Sequence, residues 1–448
     1  MENTAKRKNV ARTLLAIVAI AVLALACVTG CSQNASSSAS SSASAHGSSA
    51  GKPDGKPGGS GSSSANFGSA ATEYSSDTKT TGETYSSANT DENAVRSTNG
   101  ATVSLSDVAV TKTGDSSSSE DSDFYGLNAG ILANDGSKLT VSGGTVTTTS
   151  KGSNGVFAYG EGTTATVSDL TIRNSAGNSG GIEVAGGATL TANNLDIDTQ
   201  GQSSAAIRSD RGGGTETVNG GTYTTHGTHS PAVYSTANVT VNDATLLAEN
   251  CEGVVIEGEN SVTLNNTTVT GNVNGSETQS GVVNNVMIYQ SMSGDAKEGQ
   301  ANYEMNGGTF NATHGTLFYV TNTSAKVTLN GVNINNSGDS LMVIAGQSRW
   351  GKEGSNGGNL NFKAAKQVLA GDITVDSIST LTFDLTQAST YTGAINTNGQ
   401  AGTVSVALED GSTWTLTGDS YVSELSGDTS GINLNGHTLY VNGQAWSK

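Results

Sequence analysis

Hydrophobic and polar positions along this chain fall into a phrase that returns at nearly constant spacing. Between Leu139 and Gly271 it reads Val141-Ser142-Gly143-Gly144-Thr145-Val146, then Val167-Ser168-Asp169-Leu170-Thr171-Ile172 and Ala192-Asn193-Asn194-Leu195-Asp196-Ile197. It continues as Val218-Asn219-Gly220-Gly221-Thr222-Tyr223, Val241-Asn242-Asp243-Ala244-Thr245-Leu246 and Leu264-Asn265-Asn266-Thr267-Thr268-Val269. The leading residues advance by 26, 25, 26, 23 and 23 positions, a period that marks a solenoid. A second alternating run precedes the phrase, as in Val156-Phe157-Ala158-Tyr159, Ile182-Glu183-Val184 and Ile207-Arg208-Ser209. Both runs alternate with period two, are rich in Val, Ile and Thr, and are bounded by Gly, Asn and Asp, as short strands are. No period offers a helical spacing that its glycines would not break. The pattern predicts an all-β fold, a parallel β-helix whose coils stack about 4.8 Å apart.

Alternation also assigns faces. Val156 and Ala158, Ile182 and Val184, and Ile207 and Ser209 should point into the core. The residues between them should point out and line up as one stripe: Tyr159, Glu183, Arg208, Asp210, Tyr234, Glu257, Tyr289 and Tyr319. Aromatic rings beside hydrogen-bonding charges suit the apolar faces and hydroxyls of sugars, so the stripe is the candidate ligand-binding face. In the phrase itself, the position after the leading apolar residue is Ser142, Ser168, Asn193, Asn219, Asn242 and Asn265. A stack of Asn at one turn lets each amide bond the next and tolerates left-handed backbone angles, a structural role.

Outside the repeat the chain changes character. Residues 1–30 read as a targeting segment: basic Lys6, Arg7, Lys8 and Arg12, then an apolar stretch from Leu14 to Val28 too short for a comfortable membrane span. Val28-Thr29-Gly30-Cys31 resembles a bacterial lipobox, making Cys31 the expected lipidation site, with Ala24-Leu25-Ala26-Cys27 as a weaker alternative. Residues 31–91 are rich in Ser, Ala and Gly and should form a tether. Residues 92–369 carry the repeats, interrupted by an acidic insertion from Asp115 to Asp123 and a loop from Gly346 to Gly358 with Arg349 and Trp350. The insertion reads as a mobile solvated loop, with calcium binding as the alternative. Residues 370–448, with longer and more aromatic strands, should be the last coils and the cap that a solenoid needs.

Composition narrows the function. A net charge of −18 argues against nucleic acid and against electrostatic binding to anionic membranes. With Cys31 anchored and Cys27 cleaved away, Cys251 is left alone, so stability must come from stacking. Cys251 lies beside Glu249 and Glu252, whose charges would raise its thiol pKa and weaken it as a nucleophile. His226 and His229 are a possible metal pair without a third ligand. No cofactor or metal is expected.

The repeat, the Asn positions and the Gly-Gly turns resemble the right-handed parallel β-helix proteins of the pectin-lyase-like superfamily, and within it bacterial surface adhesins. The segment from Gly411 to Val422 resembles the closing repeats of autotransporter passenger domains, although here a lipid anchor is expected in place of their membrane barrel segment. The resemblance implies a lipid-anchored cell-surface protein that binds an extracellular polysaccharide or a host surface glycan or protein. It also implies the alternative of a polysaccharide lyase or glycoside hydrolase. The Asp-Asp, Gly-His-Gly and Arg-Ile-Lys motifs of polygalacturonase-like sites are missing. For the enzyme reading there remains Arg208-Ser209-Asp210-Arg211, with Glu183 one coil before and Glu257 two coils after. The expectation is a non-catalytic binding protein.

Overall fold

The structure is a computed structural model and describes residues 65–273, 280–338, 340–399, 402–409 and 411–447. The expected targeting segment, lipidation at Cys31 and the first part of the tether lie outside these residues.

The described chain is a parallel β-helix. Among these residues, short strands from Ser69–Tyr74 through Ile182–Ala185 to Asp372–Val375 stack as one parallel sheet, each pairing with the strand one coil on. A second, larger parallel sheet holds the recurring phrases. Each phrase turns a corner at its middle, so a coil has three runs rather than the two read from the pattern. Thr164–Ser168 and Thr171–Asn174 are separate strands on either side of Asp169, whose φ is 52°. In neighbouring coils the same place is taken by Asn194 at 53°, Gly220 at 67° and Asp243 at 54°. Short polar residues and glycine are the types that accept this left-handed angle. The left-handed residue is thus one place after the stacked Asn, not the stacked Asn itself. The following Gly221 is needed for a second reason: a Cβ there would lie 2.3 Å from the Leu195 carbonyl oxygen.

The ladder beside the corner is continuous. Asn193 Nδ2 donates to Ser168 Oγ at 3.2 Å, Asn219 to Asn193 at 3.0 Å, Asn242 to Asn219 at 2.9 Å, Asn265 to Asn242 at 2.8 Å and Asn306 to Asn265 at 3.0 Å. Ser179, Ser204 and Ser230 form a second ladder at a buried turn, each hydroxyl accepting from the backbone N–H of the serine one coil earlier. These ladders satisfy polar groups that a narrow core cannot hydrate.

Inside, one apolar row runs through Val141, Val167, Ala192, Val218, Val241, Leu264, Met305 and Leu329, all buried and in register. Toward the C-terminus aromatic rings take over the column. Tyr303, Phe318, Phe362, Phe383, Tyr391 and Trp414 follow one another at centroid distances of 5.2–5.9 Å. The expected aromatic enrichment is present, but the strands there are short, such as Thr390–Thr392 and Thr413–Thr415. An antiparallel pairing of Leu439–Val441 with Gln444–Ala445 follows the last parallel strands.

Two segments differ from expectation. Residues 69–87, assigned to the tether, form strands Ser69–Tyr74, Thr78–Thr81 and Thr84–Ser87 that pair with the coil after them. Many of their side chains are small or polar, so no hydrophobic alternation marked them. Tyr74 and Tyr85 fill the end of the core there, their hydroxyls 3.0 Å apart. The acidic insertion, read as a mobile loop, contains helix α1, Ser119–Tyr125. Ser118 caps it by accepting from Asp121 N, and Gly126 ends it at φ 74°, where a Cβ would meet Leu132 and Phe157 at 2.9 Å.

Candidate functional site

The outward residues of the first sheet do share one face, but in two rows. Register places Phe157, Glu183, Arg208, Tyr234, Val255, Met287 and Tyr319 in the first. Tyr159 and Ala185 pair in the second, as do Glu257 and Tyr289, and Asp210 takes the outward place after Ser209. The expected open stripe is instead roofed. Glu183 is 0% exposed, Glu257 and Tyr319 are each 1% exposed, and Arg208, Asp210 and Tyr289 are also buried. Tyr159 and Tyr234 keep partial exposure. The roof comes from excursions between strands, which alternation along the strands does not describe.

Helix α1 covers the first part. Arg208 Nη2 lies 2.8 Å from Asp123 Oδ1 on the helix and 3.2 Å from Asp210 Oδ2, and Arg208 Nε lies 3.5 Å from Glu183 Oε1. Arg211 Cζ sits 3.8 Å from the Phe124 ring centroid while its Nη2 pairs with Asp295 at 2.6 Å. Tyr125 packs edge-on against Phe67 and Tyr159. Three carboxyl groups therefore surround one buried guanidinium, an excess of negative charge that a low dielectric resists. Burial pushes the Glu183 carboxyl well up despite the opposing pull of Arg208. Burial also raises Asp210, to about 7, with Arg208 opposing and Asp123 adding to the rise. Burial works against the Arg208 charge, but Asp123, Glu183 and Asp210 outweigh it and raise its pKa further.

Further along, Glu257 is held by neutral donors. Tyr234 and Tyr289 hydroxyls donate to its Oε2 at 2.7 and 2.8 Å, and the Ser291 hydroxyl donates to Oε1. Burial and then the Glu257 charge push both phenols well above their ordinary pKa, so they stay protonated donors. Beside them is a small open cleft of about 80 Å³, well under the roughly 300–1,000 Å³ of drug-sized ligand pockets. Its walls are the rings of Tyr234, Tyr289 and Trp350 with Val255 and Met287; its polar end has Glu252, Cys251 and His229. Trp350 reaches it from the loop that leaves the coil after Gly346, its ring 4.7 Å from that of Tyr289 and tilted by 52°. Asn356 fixes that loop by donating to the Trp350 carbonyl at 2.7 Å.

Sequence reasoning named Tyr234 and Tyr289 but did not assign Trp350, Glu252, Val255, Met287 or Asp123 to a site. Trp350 had a signal, a large aromatic in a polar loop beside Arg349; Val255 and Met287 had only outward phase on their strands. Cys251 is buried, and burial first, then Glu252, raises its thiol pKa well above the ordinary value. The two histidines go separate ways. His226 bonds Glu249 at 2.7 Å and Asp198 at 3.2 Å, and His229 bonds Gln202 at 3.1 Å. Burial acts to lower the His226 pKa, but its bonds to the two carboxylates win and raise it. In the acidic insertion, Asp115 accepts from Lys151 N and Asp121 from Asn66, while Asp123 faces Arg208. Among the described residues no group of three or more His, Cys, Asp or Glu side chains is arranged to hold a metal ion. No protein-family model, curated protein or solved structure matches the chain.

Proposed function

We propose that this chain is a cell-surface protein, lipidated at Cys31, that binds an extracellular glycan in the cleft on the outer face of its first sheet and does not cleave it. In this reading it is a right-handed β-helix of the pectin-lyase-like kind, working as an adhesin. The observation that carries the binding reading is the cleft itself: three aromatic rings, two of them in contact, line a small recess with the Glu252 carboxylate at its edge. The residues expected to contact ligand narrow from the eight-member stripe to Tyr234, Tyr289 and Trp350. Glu183, Arg208 and Asp210 serve instead to dock helix α1.

One observation favours the lyase or hydrolase alternative. Its candidate acid is Asp210, a carboxyl that burial raises to about 7 and that lies beside Arg208 under helix α1, so that helix would have to move for a substrate to reach it. A glycan array probed with the intact chain in detergent, run beside an assay for new reducing or unsaturated sugar ends, separates the two. Binding without new ends supports the adhesin; new ends that disappear in Asp210→Asn replace it with the enzyme. No bound glycan and no new ends contradict both.

A further inference from the structure

We infer that the cleft is built for a ligand bearing an ammonium group, either an amino sugar with a free amine or a quaternary ammonium of the choline type. This rests on the cleft being a ligand site and goes beyond it in naming the charge of the occupant. Glu252 lines the cleft and is only 8% exposed. Its hydrogen-bond donors are neutral: the Cys251 thiol at 2.9 Å and Asn284 Nδ2 at 3.3 Å. Glu257, which is not part of the cleft lining, is 1% exposed and receives only hydroxyl donors, two of them from cleft-lining tyrosines. Among the described residues neither carboxylate is ion-paired with a Lys, Arg or His. Arg349 lies 5.4 Å from the Trp350 centroid but does not line the cleft.

Two buried carboxylates without a cation are costly. Glu257 meets Tyr234 and Tyr289 at their hydroxyls, and the ring faces carry negative quadrupoles of their own. An anionic sugar would be repelled, and a neutral one would leave the charge uncompensated. An ammonium group satisfies both features at once, through the ring faces and through Glu252.

The test is calorimetric titration of the intact chain with two matched pairs. One is choline against its uncharged tert-butyl isostere; the other is glucosamine oligomers against their N-acetylated counterparts. The expected result is that the ammonium member of at least one pair binds about tenfold tighter or more, and that Glu252→Gln removes most of that preference without moving the thermal midpoint. Preference for choline alone supports the inference and contradicts the glycan reading. Neutral oligomers binding as well as charged ones, with loss of both in Trp350→Ala, keeps the glycan reading and overturns this inference. No binding by any of the four also overturns it.

Discussion

Ile182 and Glu183 are adjacent, both are 0% exposed, and they are buried for opposite reasons. Ile182 points inward, in register with Val156 and Ile207, and truncation to Ala should cost about 2–5 kcal/mol in denaturant unfolding. Glu183 points outward into a roof of charged groups, and burial favours its neutral form. Glu183→Gln keeps shape and removes a charge the fold already suppresses, so it should cost less than about 1 kcal/mol. Equal losses from the two would mean that the alternation is assigned to the wrong faces. Asp210 gives the same cluster a pH signature. Its folded pKa is raised, so its contribution to stability is complete below the unfolded value of about 4 and is lost as pH rises through about 7. The thermal midpoint should therefore fall across that window, and Asp210→Asn should flatten the fall. A wild-type midpoint that rises from pH 4 to 7 by an amount unchanged in Asp210→Asn would contradict the assignment.

At the scale of elements, the Asn ladder is the clearest case of a sequence pattern carrying structure. Asn219 both donates to Asn193 and accepts from Asn242. Asn219→Ala removes two bonds from a partly buried stack and should cost about 1–2 kcal/mol, read as a shift in urea midpoint. The strands of the first sheet and the inward residues from Val156 to Ile207 were legible because alternation and a fixed period both report on one narrow core. The corner inside each phrase was not, because its only mark is one skipped step: the inward residues run Val167, Leu170, Ile172, so the phase flips across Ser168 and Asp169 within a run that otherwise alternates. The coil at 69–87 was missed because many of its residues are Ser or Thr, which read as tether composition. Helix α1 is only seven residues long, and its signals are local: the Ser118 cap and the Gly126 stop.

For the folded unit as a whole, the eight stripe residues were placed on the correct sheet face, yet their exposure was misread. A period describes how coils stack on each other and says nothing of what the excursions between them do. Helix α1 and the loop after Gly346 fold back over the sheet, burying Glu183 and Arg208 under one and bringing Trp350 against Tyr289 with the other. Roofing turns an open track for a polymer into a bounded cleft, and this is the step on which the functional account depends. The most direct measurement is calorimetric binding of the tightest ligand from the glycan array to three forms of the intact chain: wild type, Trp350→Ala, and Tyr421→Ala, which removes a ring stacked on Tyr440 in the last coils. The account predicts that Trp350→Ala weakens binding about tenfold or more, as loss of an aromatic platform does, while Tyr421→Ala binds as wild type. Unchanged affinity in Trp350→Ala, or equal loss in both variants, would contradict it.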